Sequence, residues 1–234
     1  MTDPAAQLRE HGVALLRDIF PRDALTQLNE AANGCFEAIE TGTALPGHYQ
    51  FNRFSHSLLL AALLDFGSAG FEGLVAPLSA PGLDQLFSEV MGGAWKCNRE
   101  QSWARKKFPP PQTPGPRYHP QSWHQDGALG VTFPLQPGQA VPMTQLLTCW
   151  IPLNSCGRDS PGLEFVLSRE EALLHFTELN DDSLRRRFPP DRFWAPVLEF
   201  GEGLVFLNGT LHRTFALPEM RRSRLSVEYR IFPR

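Results

Sequence analysis

The spacing of apolar residues along the chain changes near residue 94. Before that point it suits helices with one buried face. It predicts a helix over residues 21 to about 39, with proline in its first turn, and further helices near 57–64 and 83–91. A short strand over 13–16 precedes them, and 41–54 reads as irregular. After residue 94 the period falls to two, the mark of strands whose side chains alternate between faces. Strands are expected over 94–107, 121–126, 145–153, 163–167, 197–200, 204–207, 211–216 and 223–232, with one helical interruption over 169 to about 187. In the last strand Arg224, Ser226 and Glu228 share one face, and Leu225, Val227 and Tyr229 share the other.

Helices first and short strands later, punctuated by Gly, Asn and Pro, predict a mainly β fold with flanking helices, a jelly roll. The length of 234 residues suits one domain over 1–234, its first 93 residues mostly helical and 94–234 forming the jelly-roll core. Two loops stand out. Asn208-Gly209 between two strands is a hairpin signal. Residues 108–120 hold six prolines in thirteen positions, which a central strand does not tolerate. That segment reads either as a lid over a site, bringing Tyr118 and His119 toward substrate, or as a static surface loop.

Composition narrows the function. Apolar content of 42% and charged content of 20% are ordinary for a globular chain. A net charge of −3 calls for neither nucleic acid nor an anionic membrane as partner. The longest apolar run, 58–64, is far short of a membrane span, and residues 1–10 lack a secretory pattern. Cys35, Cys97, Cys149 and Cys156 form no Cys-x-x-Cys pair, so free thiols and a cytoplasmic location are expected. The Arg185-Arg186-Arg187 cluster closes a helix-like stretch, where cations favour the dipole.

The chemistry concentrates in a few positions. On a strand, His124 and Asp126 point to the same side while Gln125 faces away. His212 follows the Asn208-Gly209 turn, and Arg224-Leu225-Ser226 follows twelve residues later. Two histidines and one carboxylate on one face of a metal, with open positions opposite, are the ligand set of non-heme Fe(II) oxygenases. A guanidinium on a nearby strand offers a planar fork to a carboxylate.

These residues resemble the phytanoyl-CoA dioxygenase-like family of Fe(II)/2-oxoglutarate-dependent oxygenases, and the resemblance covers most of the chain. Residues 10–20 are similar to the family's opening strand and loop. Lys107-Phe108-Pro109 and Trp123-His124-Gln125-Asp126 match its Lys-x-Pro and Trp-His-x-Asp patterns. Trp150-Ile151-Pro152-Leu153, residues 161–166, Gly203-Leu204-Val205-Phe206, His212-Arg213-Thr214 and Arg224-Leu225-Ser226 complete it. The resemblance implies a double-stranded β-helix, iron held by His124, Asp126 and His212, and 2-oxoglutarate whose distal carboxylate pairs with Arg224. Ser226 and Thr214, each two residues beyond one of these on the same face, are candidates to donate to that carboxylate. Trp150 resembles a tryptophan that packs on the co-substrate, or is a core aromatic. Lys107, Arg105 and Gln101 share one strand face and reach the co-substrate or substrate, or form a solvated face.

One departure is visible. The family often carries its arginine eleven residues after the distal histidine, and that position here is Ser223, flanked by Arg222 and Arg224. Arg224 opens Arg-x-Ser and an alternating strand, and a small bulge absorbs the extra residue; Arg222 is the alternative. The intact Asp126 favours hydroxylation or another oxidation over halogenation. The implied reaction consumes dioxygen and yields succinate and carbon dioxide while oxidising a small-molecule substrate, with Phe51, Phe54, Trp95, Trp103, Tyr118, Phe133 and Trp194 as aromatics for its pocket or for the core. Rival readings are a cupin-like oxygenase or isomerase that does not use 2-oxoglutarate, a zinc hydrolase, and a non-catalytic binding protein on the same fold.

Overall fold

Asp3 opens the first helix by accepting from the Ala5 amide at 3.0 Å, Pro4 takes the first helical position, and Gly12 ends it at φ 75°. The computed structural model describes residues 3–43, 49–52, 55–66, 70–110 and 122–234. In chain order the helices are α1 (Pro4–His11), α2 (Arg22–Glu40), α3 (Gly70–Val75), α4 (Leu83–Met91) and α5 (Asp181–Arg187). The strands are β1 (Val13–Leu16), β2 (Tyr49–Asn52), β3 (Ser55–Leu59), β4 (Trp95–Cys97), β5 (Trp103–Lys107) and β6 (Leu147–Pro152). They continue with β7 (Gly162–Val166), β8 (Phe193–Trp194), β9 (Gly203–Leu207), β10 (His212–Phe215) and β11 (Arg224–Pro233).

The strands form two antiparallel sheets. The larger runs β1-β9-β6-β11-β5-β3-β2, with β4 paired to the far end of β11; the smaller runs β10-β7-β8. This is the expected mainly β architecture with flanking helices. One face of the large sheet takes the helices: Leu147, Cys149, Ile151, Leu225, Val227, Tyr229 and Ile231 join the buried residues of α2 and α4 in the largest apolar cluster. In α2 these are Leu25, Leu28, Ala31, Ala32, Cys35, Phe36 and Ile39, at the three- and four-residue spacing of one buried stripe. The other face turns toward the small sheet. There Val13, Trp150, Leu204 and Phe206 meet Leu163 and Phe165 in a second cluster.

Several expected elements take a different form. Residues 57–59 belong to β3 rather than to a helix, because Ser57 pairs with Arg105 across the sheet; only Leu60–Phe66 winds, as a 3-10 turn. The strand expected over 94–107 is two strands separated by a turn, in which the Gln101 amide donates to the Asn98 carbonyl and Ser102 Oγ to the same carbonyl. The helical interruption over 169–187 reduces to a 3-10 turn at Phe176–Glu178 and α5. The 197–200 strand is one bridge, Leu198 to Cys156. Asn208-Gly209 is a turn but closes no hairpin. Both edges of β9 are already taken, by β1 and β6, so the turn carries the chain from the large sheet to the small one. Gly209 is needed there, because a Cβ would lie 2.0 Å from the Glu170 carbonyl oxygen.

Among the described residues no single helix is long and apolar enough to cross a membrane. All four cysteines are free thiols.

Candidate metal centre and anion pocket

His124 lies at the edge of the small sheet. Its strand is shorter than expected: the amide and carbonyl of His124 exchange hydrogen bonds of 3.0 and 3.1 Å with those of His212, a single antiparallel bridge. Gln125 is still extended, and Asp126 opens a 3-10 turn. The pairing places the two imidazoles side by side, ring centroids 4.1 Å apart. Asp126 Oδ1 sits 4.0 Å from His124 Nε2 and 3.8 Å from His212 Nε2. The three ligand atoms lie within 4.8 Å of one another, a group able to hold a metal ion.

Each imidazole is oriented by the backbone. His124 Nδ1 is 2.8 Å from the Ser122 carbonyl, and His212 Nδ1 is 3.0 Å from the Thr210 carbonyl. A carbonyl only accepts, so Nδ1 carries the proton in both rings and Nε2 is the nitrogen turned toward Asp126. Burial, reinforced by the neighbouring His212, lowers the His124 pKa and keeps the ring neutral, the form that binds metal. Burial alone would raise Asp126, but Arg230, His212 and His124 outweigh it and, with Thr148, hold the carboxyl well below the usual range.

Gln125, as expected, faces away. Its amide donates to the Gly209 and Ala172 carbonyls at 3.1 and 3.2 Å and accepts from the Leu174 amide at 2.8 Å, tying together the loops behind the site. Gly127 completes the tie through its amide to the Asn208 carbonyl at 2.8 Å. Trp123 also points away from the site, buried with Val166, Leu174, Leu184 and Leu211, with Arg213 over its ring at 4.5 Å.

β11 supplies the other half of the site. Register pairs Arg224 with Lys107, Ser226 with Arg105 and Pro152, Glu228 with Trp150, and Arg230 with Thr148. A cavity of about 150 Å³ is lined by His124, Asp126, His212, Trp150, Arg224 and Arg230, together with Arg105, Leu163, Phe206 and Glu228. Arg224 is buried, 5.1 Å from the Trp150 ring, and its Nη1 donates to the Gly162 carbonyl at 3.0 Å. Its Nε and the Ser226 hydroxyl are buried with no hydrogen-bond partner among the described residues. Among the described residues neither Arg224 nor buried Lys107 has a carboxylate within ion-pair distance. Burial, then repulsion from Arg224 and Arg105, lowers Lys107 from the usual 10.5 to about 8. Burial and Arg105 likewise lower Arg224 to about 10.

The sequence-predicted residues divide clearly. His124, Asp126, His212, Arg224 and Trp150 line one cavity. Ser226 and Lys107 adjoin it through the β11 register, and Thr214 is buried two residues beyond His212 on β10. Gln101 is not brought in: it sits in the turn before β5, outside the alternation assumed for it. Arg222 is exposed on the approach to β11. Trp95 packs against Phe87 and donates to Asp84, Phe133 is on the surface, and neither they nor Trp103 and Trp194 line this cavity. Phe54, Tyr118, His119 and residues 111–121 lie outside the described residues, as does the Phe51 side chain. Arg230 and Thr148 were not anticipated. The alternation that linked Arg224, Ser226 and Glu228 continues to Arg230, and that was the available signal.

The chain matches no protein-family model and no curated protein. Solved structures do match. EctD from S. alaskensis, solved in its apo form, superposes with a TM-score of 0.66 at 18% identity, covering 98% of this chain and 75% of that one. EctD with 2-oxoglutarate and 5-hydroxyectoine gives 0.67 at 16% identity, over 98% and 74%. SnoK, a non-heme α-ketoglutarate-dependent carbocyclase from nogalamycin biosynthesis, gives 0.63 at 15% identity, over 100% and 84%. The fold is the one that EctD and SnoK share. At such identity the likeness speaks for the jelly-roll architecture, and chemistry must be argued from the site.

Proposed function

We propose that this chain is a non-heme Fe(II)/2-oxoglutarate-dependent dioxygenase of the phytanoyl-CoA dioxygenase-like kind, a single-domain enzyme that hydroxylates or otherwise oxidises a small metabolite. The observation that carries the reading is the pairing of a metal-ligand set and a buried cationic pocket in one cavity. One is the His124, Asp126, His212 set, two imidazoles and a carboxylate whose ligand atoms converge within 4.8 Å of one another. The other is buried Arg224 with an unpartnered Nε beside the unpartnered Ser226 hydroxyl. Buried donors without acceptors are costly, and they mark where an acceptor belongs. The distal carboxylate of a dicarboxylic oxo acid would supply that acceptor.

The donor set fits Fe(II): imidazole and carboxylate suit it, and thiolates are absent from the group. His124, Asp126 and His212 would hold the iron. Arg224 would clamp the distal carboxylate of 2-oxoglutarate, with Ser226 and Thr214 donating, Lys107 adding a second positive charge and Trp150 forming the wall. Held there, iron with the oxo acid would supply the activation of dioxygen, with release of succinate and carbon dioxide. The protein's own share is positional: carbonyls of Ser122 and Thr210 aim the imidazoles, and the apolar wall of Leu163, Phe206 and Trp150 excludes water. Four free thiols suit a reducing compartment such as the cytoplasm.

Arg224 weighs against an oxygenase or isomerase that needs no oxo acid, since its buried guanidinium calls for an anion in this cavity. Anaerobic addition of Fe(II) and then 2-oxoglutarate to the metal-free protein tests the proposal. A new visible charge-transfer band on adding the oxo acid is expected. Iron uptake without it would point to a cupin-like enzyme, and no uptake to a binding protein on this fold.

A further inference from the structure

Asp126 is gripped from one side. Its Oδ2 accepts from Thr148 Oγ1 at 2.7 Å and from Arg230 Nη1 at 2.5 Å. Its Oδ1, the oxygen nearest both imidazoles, takes one bond, from Arg230 Nη2 at 3.0 Å. Arg230 is itself held by Glu228 at 3.0 Å. Glu228 accepts a two-bond fork from Arg105 at 3.0 and 2.8 Å, and Arg105 donates onward to Ser57 at 2.9 Å. Charges alternate in sign along this chain, Asp126, Arg230, Glu228, Arg105, so it is neutral as a whole. It crosses β11, β5 and β3, which fixes Arg230, Glu228, Arg105 and Ser57 to sheet positions, while Asp126 itself opens a 3-10 turn.

Resting on the functional reading above, we propose that Arg230 and Thr148 are positioning residues that restrict Asp126 to one-oxygen coordination. A carboxylate beside a dication can chelate through both oxygens. At a facial site that would consume a position required by a bidentate oxo acid or by dioxygen. Here two donors engage Oδ2 and leave Oδ1 as the oxygen presented between the histidines. The Glu228–Arg105–Ser57 chain keeps the Arg230 fork from swinging away. The opposite role for the same contacts is that of a plug, the Arg230 charge competing with the metal. The two differ in sign. Removing a lock weakens metal binding, and removing a plug strengthens it.

The experiment is anaerobic titration of metal-free wild type, Arg230→Ala, Arg230→Lys and Thr148→Val with Co(II), followed by visible absorption, and then with 2-oxoglutarate. Co(II) affinity should fall about 10–100-fold in Arg230→Ala. Arg230→Lys should lose a similar amount, because it keeps the charge and not the fork. Thr148→Val, a near-isosteric change, should lose less. The Co(II) absorption envelope should change in all three, with weaker 2-oxoglutarate binding, as Asp126 gains freedom to chelate; a variant that is only less stable would keep the wild-type spectrum. Equal or tighter Co(II) binding with an unchanged spectrum would overturn the proposal. If Arg230→Ala does not fold, Arg230→Lys and Thr148→Val give the same readings. Wild type that takes up no Co(II) would overturn the functional reading and this proposal with it, whereas wild-type uptake matched by every variant would overturn this proposal alone.

Discussion

The two faces of β11 are chemical opposites within one strand. Leu225, Val227, Tyr229 and Ile231 sit in the helix-backed core, while Arg224, Ser226, Glu228 and Arg230 face the cavity. Both sets are almost entirely buried, apart from a partly open Arg230. The outer face gains stability from apolar burial in a close-packed interior. The inner face holds its charges in a paired chain at one end, Arg105–Glu228–Arg230–Asp126. At the other end Arg224 and Lys107 have no carboxylate among the described residues. Two buried cations without an ion-pair partner do not serve stability, and the proposed anion site rests on that contrast.

Substitutions can break that contrast. The largest effect is expected from Val227→Asp, which puts a lone carboxylate among the outer-face residues. It should cost more than about 4 kcal/mol, and chemical denaturation should show loss of cooperative unfolding. Arg224→Ala, one register step away on the inner face, should behave in reverse. Removing a buried cation that has no carboxylate partner among the described residues should leave thermal stability equal or higher, while 2-oxoglutarate affinity falls about 10–100-fold for the lost charge-assisted bonds. Arg222→Ala should change neither, because that side chain is exposed. Loss of 2-oxoglutarate binding in Arg222→Ala instead would put the site's register wrong.

Lys107 sharpens the comparison through pH. Its folded-state pKa is lowered from 10.5 to about 8 by burial and by Arg224 and Arg105. Between these values the unfolded chain binds more protons, so stability should rise with pH across that window. Affinity for 2-oxoglutarate should fall over the same window as the ammonium is lost. Thermal melts and binding titrations on both sides of it, with Lys107→Met as control, separate the two trends. A pH-dependent affinity that survives in Lys107→Met would remove Lys107 from the co-substrate site. The smallest effect is expected from Tyr229→Phe on the outer face. It deletes the hydroxyl bond to the Leu74 carbonyl, 2.7 Å long, for about 1–2 kcal/mol with no change in metal or oxo-acid binding.

Much of this was legible from residue order. The period-two pattern of 224–230 separated core from cavity, and the His-x-Asp spacing put two candidate ligands on one side of an extended segment. Elsewhere local pattern misled. Residues 57–59 have helix-compatible apolar content but are taken up by β3, where pairing with β5 decides. Asn208-Gly209 has hairpin chemistry, yet β9 has no free edge to pair. Gln101 has the right parity for the β5 face but lies in a turn.

By itself the sequence determined the helix-then-strand layout, the inward residues of β11, and the types of donor available to a metal and an anion. These follow from periodicity and from neighbours a few residues apart, which the backbone geometry of one element controls. Only the tertiary structure decided that Arg224 and not Arg222 enters the cavity, and that the carbonyls of Ser122 and Thr210 set the histidine tautomers. It alone placed Arg230, 104 residues from Asp126 in sequence, with both hands on that carboxylate. Contacts of that range depend on which strand edges remain open for pairing, and no local pattern carries that information.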